Sequence, residues 1–150
     1  MANRGSFILF PTLAVEPPTP GPDPVLGWLT VSAAGIVGSA DSNDTGLEPD
    51  YVPIVGTVTF TPTFTRPIRI NSSGKFLATA TINARFDSNG ILTYDDQVDC
   101  RLIAPQWAEL SDTEWQWRAN IVPGGGQSWN SFEVLFSGAP GDRVNLASFL

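Results

Sequence analysis

Carboxylates and tryptophans lie close together between residues 107 and 115. Glu109, Asp112 and Glu114 stand between Trp107 and Trp115. Two carboxylates are the minimum that glycoside hydrolysis requires, and carboxylates beside tryptophan can also hold a sugar without cleaving it. The same polar run is, however, typical of a solvated loop between two strands. We therefore expect no catalysis here and keep Trp107, Glu109 and Asp112 as candidate contacts for a glycan.

Other catalytic and cofactor sites are limited by what the chain lacks. It has no histidine and one cysteine, Cys100. Ser-His-Asp and Cys-His arrangements are thereby excluded, and zinc or iron sites lose their commonest nitrogen ligand. The alternation of Val98, Cys100 and Leu102 favours a buried thiol on a strand. The sequence predicts a protein that is not an enzyme and holds no cofactor.

An acidic loop at residues 41 to 50 superficially resembles a calcium site. Asp41, Asn43 and Gly46 occupy ligand-like offsets. The twelfth position is Val52, where a bidentate glutamate is needed. A solvated loop, or one that faces another subunit, fits the sequence better, and no metal site is expected.

Size and charge limit the class of protein. A chain of 150 residues suits one domain. Its 8 basic and 15 acidic residues give a net charge of −7, which disfavours binding to nucleic acid. No apolar run reaches 18 residues, so membrane insertion is not expected, and the first ten residues do not read as a signal peptide.

Short alternating runs dominate the chain after residue 54. In Gly56–Pro62, Val58 and Phe60 fall on one face and threonines on the other, which is the two-residue period of a half-buried strand. Turn residues such as Asn89-Gly90 separate the runs. The predicted strands cover residues 25–33, 55–61, 68–70, 75–86, 91–94, 97–104, 115–121 and 131–136. The fold predicted for residues 25–150 is an all-β antiparallel β-sandwich, Ig-like or jelly-roll-like.

The N-terminal residues have a different composition. Pro17 to Pro24 holds five prolines, which fix φ and remove backbone donors. We expect residues 1–24 to form an extended arm, either a linker within one subunit or a tether reaching a neighbour. Its apolar residues, together with two tryptophans at strand edges or in loops, are the predicted oligomer contacts: Phe7, Ile8, Leu9, Phe10, Trp28 and Trp129.

Several pieces of the chain, taken in order, resemble a module found in minor tail proteins of tailed phages that infect actinobacteria. The resemblance begins at Gly56 and covers about two thirds of the chain, and the residues before Ile54 are not part of that module. The pieces are Gly56–Pro62, Phe86–Leu92, Val98–Ala104, Thr113–Ala119, Ser131–Phe136 and Val144–Phe149.

The resemblance implies a non-enzymatic structural protein of a virion, located at the phage tail tip or baseplate. Such proteins assemble with other tail proteins, typically as homo-oligomers, and contact the host envelope. Two alternatives remain open from the sequence. One is a carbohydrate-binding module that recognises a host-surface glycan through Trp107 and Trp129, and the other is a capsid decoration protein with the same fold and acidic surface.

Overall fold

The structure, a computed structural model, describes residues 27–40, 50–78 and 80–150. The predicted arm at residues 1–24, with its contacts Phe7 to Phe10, lies outside the described residues. So does most of the calcium-like loop, including Asp41, Asn43 and Gly46.

Strands account for the regular structure of the described residues, and the all-β prediction is confirmed. Only a short 3₁₀ helix (Leu146–Phe149) interrupts this pattern, and no α-helix occurs in residues 27–40, 50–78 or 80–150. The strands are β1 (Trp28–Ser32), β2 (Val37–Ala40), β3 (Asp50–Pro53), β4 (Gly56–Pro62), β5 (Ile68–Arg69), β6 (Phe76–Leu77), β7 (Ile82–Phe86), β8 (Leu92–Tyr94), β9 (Gln97–Val98), β10 (Cys100–Ile103), β11 (Trp117–Pro123), β12 (Phe132–Phe136) and β13 (Arg143–Asn145).

The strands form two principal sheets and two ribbons. The large sheet has the order β12-β11-β4-β7-β8-β9, and the small sheet has the order β10-β1-β13. Strands β2 and β3 pair as one ribbon, and β5 and β6 pair as another. Among the described strand pairs, β1 and β13 alone run parallel. These two strands come from opposite ends of the chain, so no tight hairpin forces them to be antiparallel.

One apolar core receives side chains from both principal sheets. Val58 and Phe60 in the large sheet are fully buried, as are Leu29 and Val31 in the small sheet. The predicted alternation is confirmed at these positions. The indole N–H of Trp117 in β11 donates to the carbonyl of Ile103 in β10 at 2.8 Å, so a hydrogen bond also joins the two sheets.

The run predicted as one strand from Lys75 to Phe86 is broken, and that prediction is wrong. Ala80 and Thr81 lie outside any strand. The two ends pair differently, because Phe76 joins β5 whereas Ile82 joins β4 opposite Phe60. Phe76 is consequently 65% exposed and does not share the core face of the later residues.

The run from Gln97 to Ala104 is also divided, at Asp99. This residue has a left-handed φ of 71°, which interrupts the alternation of a strand. Val98 is 64% exposed, whereas Cys100 is 1% exposed. The prediction that Val98 shares a face with Cys100 is therefore wrong, while Cys100 is buried as expected.

The hairpin of β8 and β9 closes through a tight two-residue turn. Tyr94 pairs with Gln97, and the residues between them, Asp95 and Asp96, have φ of 52° and 62°. Positive φ at both central positions defines a type I′ turn, for which Asn-Gly and Asp-Gly are the favoured sequences. An aspartate at the second position is thus held in a conformation that glycine adopts more easily.

Gln127 fastens the ribbon of β2 and β3 to the body. Its side-chain oxygen accepts hydrogen bonds from the backbone N–H of Val55 at 2.6 Å and from the indole N–H of Trp129 at 2.9 Å. Its amide nitrogen donates to the carbonyl of Pro53 at 2.8 Å. One side chain therefore uses both its donor and its acceptor to connect two distant loops.

We expect Gln127→Glu to lower the free energy of unfolding by about 1–2 kcal/mol, because a carboxylate cannot donate to Pro53. Urea unfolding followed by fluorescence measures the change. Gln116→Glu is the matched control, since Gln116 is exposed and the substitution there should change stability by less than about 0.5 kcal/mol. Equal stabilities of the two variants would contradict this role for Gln127.

We expect Asp96→Gly to raise the free energy of unfolding by about 0.5–1 kcal/mol, because glycine relieves the left-handed backbone. The substitution also removes the exposed ion pair between Asp96 and Arg85, which contributes little. Ser88→Gly is the control, because Ser88 lies in another hairpin turn without a positive φ. A lower melting temperature for Asp96→Gly than for Ser88→Gly would show that the left-handed backbone at position 96 does not cost stability.

Candidate functional site: a groove between the two sheets

The three residues predicted as glycan contacts have structural partners within the chain. Trp107 is half-buried and packs against the core, and a Cβ on Gly27 would lie 2.7 Å from its ring. One face of this indole is thus covered by backbone. The carboxylate of Asp112 accepts from the backbone N–H of Glu114 at 2.9 Å, and its carbonyl accepts from the indole of Trp115 at 3.0 Å.

Asp112 does not share its cleft with the other two residues. Asp112 lines a cleft of about 440 Å³ together with Phe64 and Trp115, and neither Trp107 nor Glu109 lines that cleft. The backbone carbonyl of Glu109 accepts from the N–H of Asn71 at 2.7 Å. Trp107 and Glu109 thus lie outside the cleft of Asp112, and these glycan contacts stay a prediction.

The tryptophans predicted as oligomer contacts lie in different surroundings. Trp129 is half-buried, with its ring 5.8 Å from that of Phe132 and directly over Gly38. It holds the ribbon of β2 and β3 against the large sheet. Trp28, also half-buried, lines a groove between the two sheets. Contact of either residue with another subunit stays a prediction.

This groove has a volume of about 620 Å³ and lies between the outer face of the small sheet and the hairpin of β8 and β9. It is lined by aromatic, apolar and charged side chains from both: Trp28, Thr30, Ile82, Tyr94, Asp95, Gln97, Val98, Asp99, Arg101 and Arg143.

Strand pairing in the small sheet forms one wall of the groove. Thr30 lies in the middle strand of the small sheet, opposite Arg101 on one side and Arg143 on the other. Paired residues project to the same face, which is the face opposite the buried Leu29 and Val31. Two arginines thus flank a threonine across three strands.

The β8–β9 hairpin builds the other wall. Tyr94 and Val98 are 44% and 64% exposed, respectively, on either side of the tight turn. Asp99 accepts from Arg143, with its Oδ2 2.7 Å from Nη2. The arginine side chain is 65% exposed, so this ion pair contributes no more than about 1 kcal/mol to stability, but it connects the two walls.

The groove offers binding chemistry of both charges. Two aspartates and two arginines line it, so its formal charges balance, unlike those of the whole chain. Within residues 27–40, 50–78 and 80–150, no group of three or more metal-ligating side chains comes together. Sequence reasoning missed this groove, because its residues come from three distant segments, and its only local signal is Tyr94 beside an Asp-Asp turn.

None of the described residues forms a helix long and apolar enough to cross a membrane. Comparison with protein-family models, curated proteins and solved structures finds no match to this chain.

The Cys100 thiol is buried in the core, and burial raises its pKa to about 12. Because the thiol form is favoured in the folded state, its contribution to stability is present below the ordinary pKa and is lost as the pH rises towards 12. We expect a thiol reagent such as DTNB to leave the folded protein unmodified at pH 8 and to label it fully in denaturant. Rapid labelling of the folded protein would show that the thiol is accessible.

Proposed function

We propose that this chain is a non-enzymatic structural protein of a tailed bacteriophage virion, a minor tail or tail-tip component. It forms homo-oligomers and also contacts other tail proteins. Resemblance of its ordered sequence pieces to minor tail proteins supports this proposal, and so does the edge of the large sheet. The proposed body is a β-sandwich, Ig-like or jelly-roll-like, in which the two principal sheets face each other across their shared core.

The observation that carries the assembly role is the open edge at β12 (Phe132–Phe136). This strand ends the large sheet and pairs with β11 on one side. Within the described residues, its backbone makes no hydrogen bond on the other side. Unpaired strand edges of this length are templates for pairing with another chain, and Leu135 leaves an apolar side chain 45% exposed there.

The opposite end of the same sheet is different. Strand β9 has only two residues, Gln97 and Val98, and follows a tight turn. Short edge strands resist unwanted pairing. The contrast favours β12 as the edge through which one subunit contacts the next.

The arm at residues 1–24 is the proposed second element of assembly. Its apolar run Phe7–Phe10 is joined to the body through a proline-rich spacer. Each apolar anchor that becomes buried on a neighbour would contribute on the order of 1.5–3 kcal/mol. The proposed location is the phage tail, where the protein would also contact the host surface, and this location rests on the resemblance of the sequence pieces.

Two alternatives remain beside this proposal. A capsid decoration protein would share the same sheets and acidic surface. A carbohydrate-binding module would use Trp107 and Trp129, both of which are partly buried against the core.

We expect removal of residues 1–24, and separately Leu135→Lys, to leave a folded protein that forms smaller assemblies than the full chain. Light scattering after size exclusion measures the mass, and circular dichroism checks the β structure. Phe76→Lys is the control, because Phe76 is 65% exposed and lies in the separate ribbon of β5 and β6.

Unchanged oligomers in both variants, or a monomeric full chain, would refute the assembly role. Immunogold labelling of particles distinguishes the two virion locations. Label at the tail supports the proposal, whereas label on the head would show that the chain is a capsid decoration protein.

A further inference from the structure

We infer that the groove between the small sheet and the β8–β9 hairpin binds a short, uncharged oligosaccharide. This inference does not depend on the assembly role, because the β8–β9 hairpin that forms one wall of the groove lies at the other end of the large sheet from β12.

The size and position of the groove suit a small ligand. Its volume of about 620 Å³ falls within the range of about 300–1,000 Å³ for ligand sites. Rigid strands supply both walls, since Thr30 and Arg143 lie in the small sheet and Tyr94 lies in β8. The cavity is therefore formed before a ligand arrives.

Two aromatic side chains form the apolar surface of the groove together with Ile82 and Val98. Trp28 projects from the small sheet and Tyr94 from the hairpin. Tyr94 is 44% exposed, and its hydroxyl has no hydrogen-bond partner among the described residues. An aromatic ring with a polar edge matches a sugar ring, whose C–H face stacks on the ring while its hydroxyls need polar partners.

Polar side chains beside the aromatics can satisfy those hydroxyls. A hydroxyl both donates and accepts, so it needs partners of both kinds. The amide of Gln97 can do either and the carboxylate of Asp95 accepts, and neither side chain is engaged within the part of the chain that the structure describes. These groups border the aromatic surface, which is the combination that holds a polyhydroxylated ring.

Charge determines which class of sugar fits. Asp95 and Asp99 balance Arg101 and Arg143 in the groove, and Asp99 already neutralises Arg143 at 2.7 Å. The groove therefore offers no net positive charge to a carboxylated or sulfated sugar, and the net charge of −7 of the chain would repel such a sugar. A phosphate backbone is disfavoured for the same reason. An uncharged glycan avoids these penalties.

The test uses the full chain on an array of uncharged and acidic oligosaccharides, followed by calorimetric titration of the strongest uncharged binder. We expect Tyr94→Ala to weaken binding by about tenfold or more, which corresponds to about 1.4 kcal/mol. Tyr51→Ala is the matched control, because Tyr51 is an exposed tyrosine outside the groove, and it should bind like the original protein. Gln97→Ala, which removes an exposed polar side chain, should lower the affinity for the same glycan at least about threefold.

Three results would overturn the inference: no binding of any uncharged glycan by the full chain, a preference for acidic glycans, or equal affinities of the Tyr94 and Tyr51 variants. A change in oligomer mass for Tyr94→Ala, with glycan affinity unchanged, would instead identify the groove as a protein interface. Light scattering on the β12 and arm variants reports on assembly separately, so the two proposals can fail independently.

Discussion

The contact on which the architecture depends is made by Trp117, between the two principal sheets. Its ring is 4% exposed and packs edge-on against Trp115, with the centroids 5.5 Å apart. Its N–H reaches the carbonyl of Ile103 at 2.8 Å, so a polar group in the core is satisfied rather than buried alone. The groove has one wall on the small sheet and one on the β8–β9 hairpin of the large sheet, so its shape depends on the packing of the two sheets.

Two features of the surface follow from the way the large sheet ends. At β9 the chain turns tightly through Asp95 and Asp96, and the hairpin exposes Tyr94 beside a groove. At β12 the sheet ends on a longer strand with an open side. The two proposed tasks, pairing with another chain and binding a small ligand, therefore fall on separate parts of the body.

The sequence predicted those parts of the fold that local alternation determines. Leu29, Val31, Val58 and Phe60 are buried as their spacing indicated, since period two decides the face of a strand. The same rule failed for Phe76 and Val98. In both cases the run continues in the sequence while the backbone changes partner or adopts positive φ, and neither event alters the apolar pattern. The groove escaped prediction for a related reason: Thr30 meets Arg143 through a parallel pairing of distant strands, which leaves no local signature.

Both sheets are expected to unfold as one cooperative body with a shared core. Guanidinium unfolding of the full chain, followed at once by tryptophan fluorescence and far-ultraviolet circular dichroism, tests it most directly. The account predicts one transition with the same midpoint for both signals. Two separate midpoints would contradict it, because they would show that the sheets unfold independently and that no fixed groove lies between them.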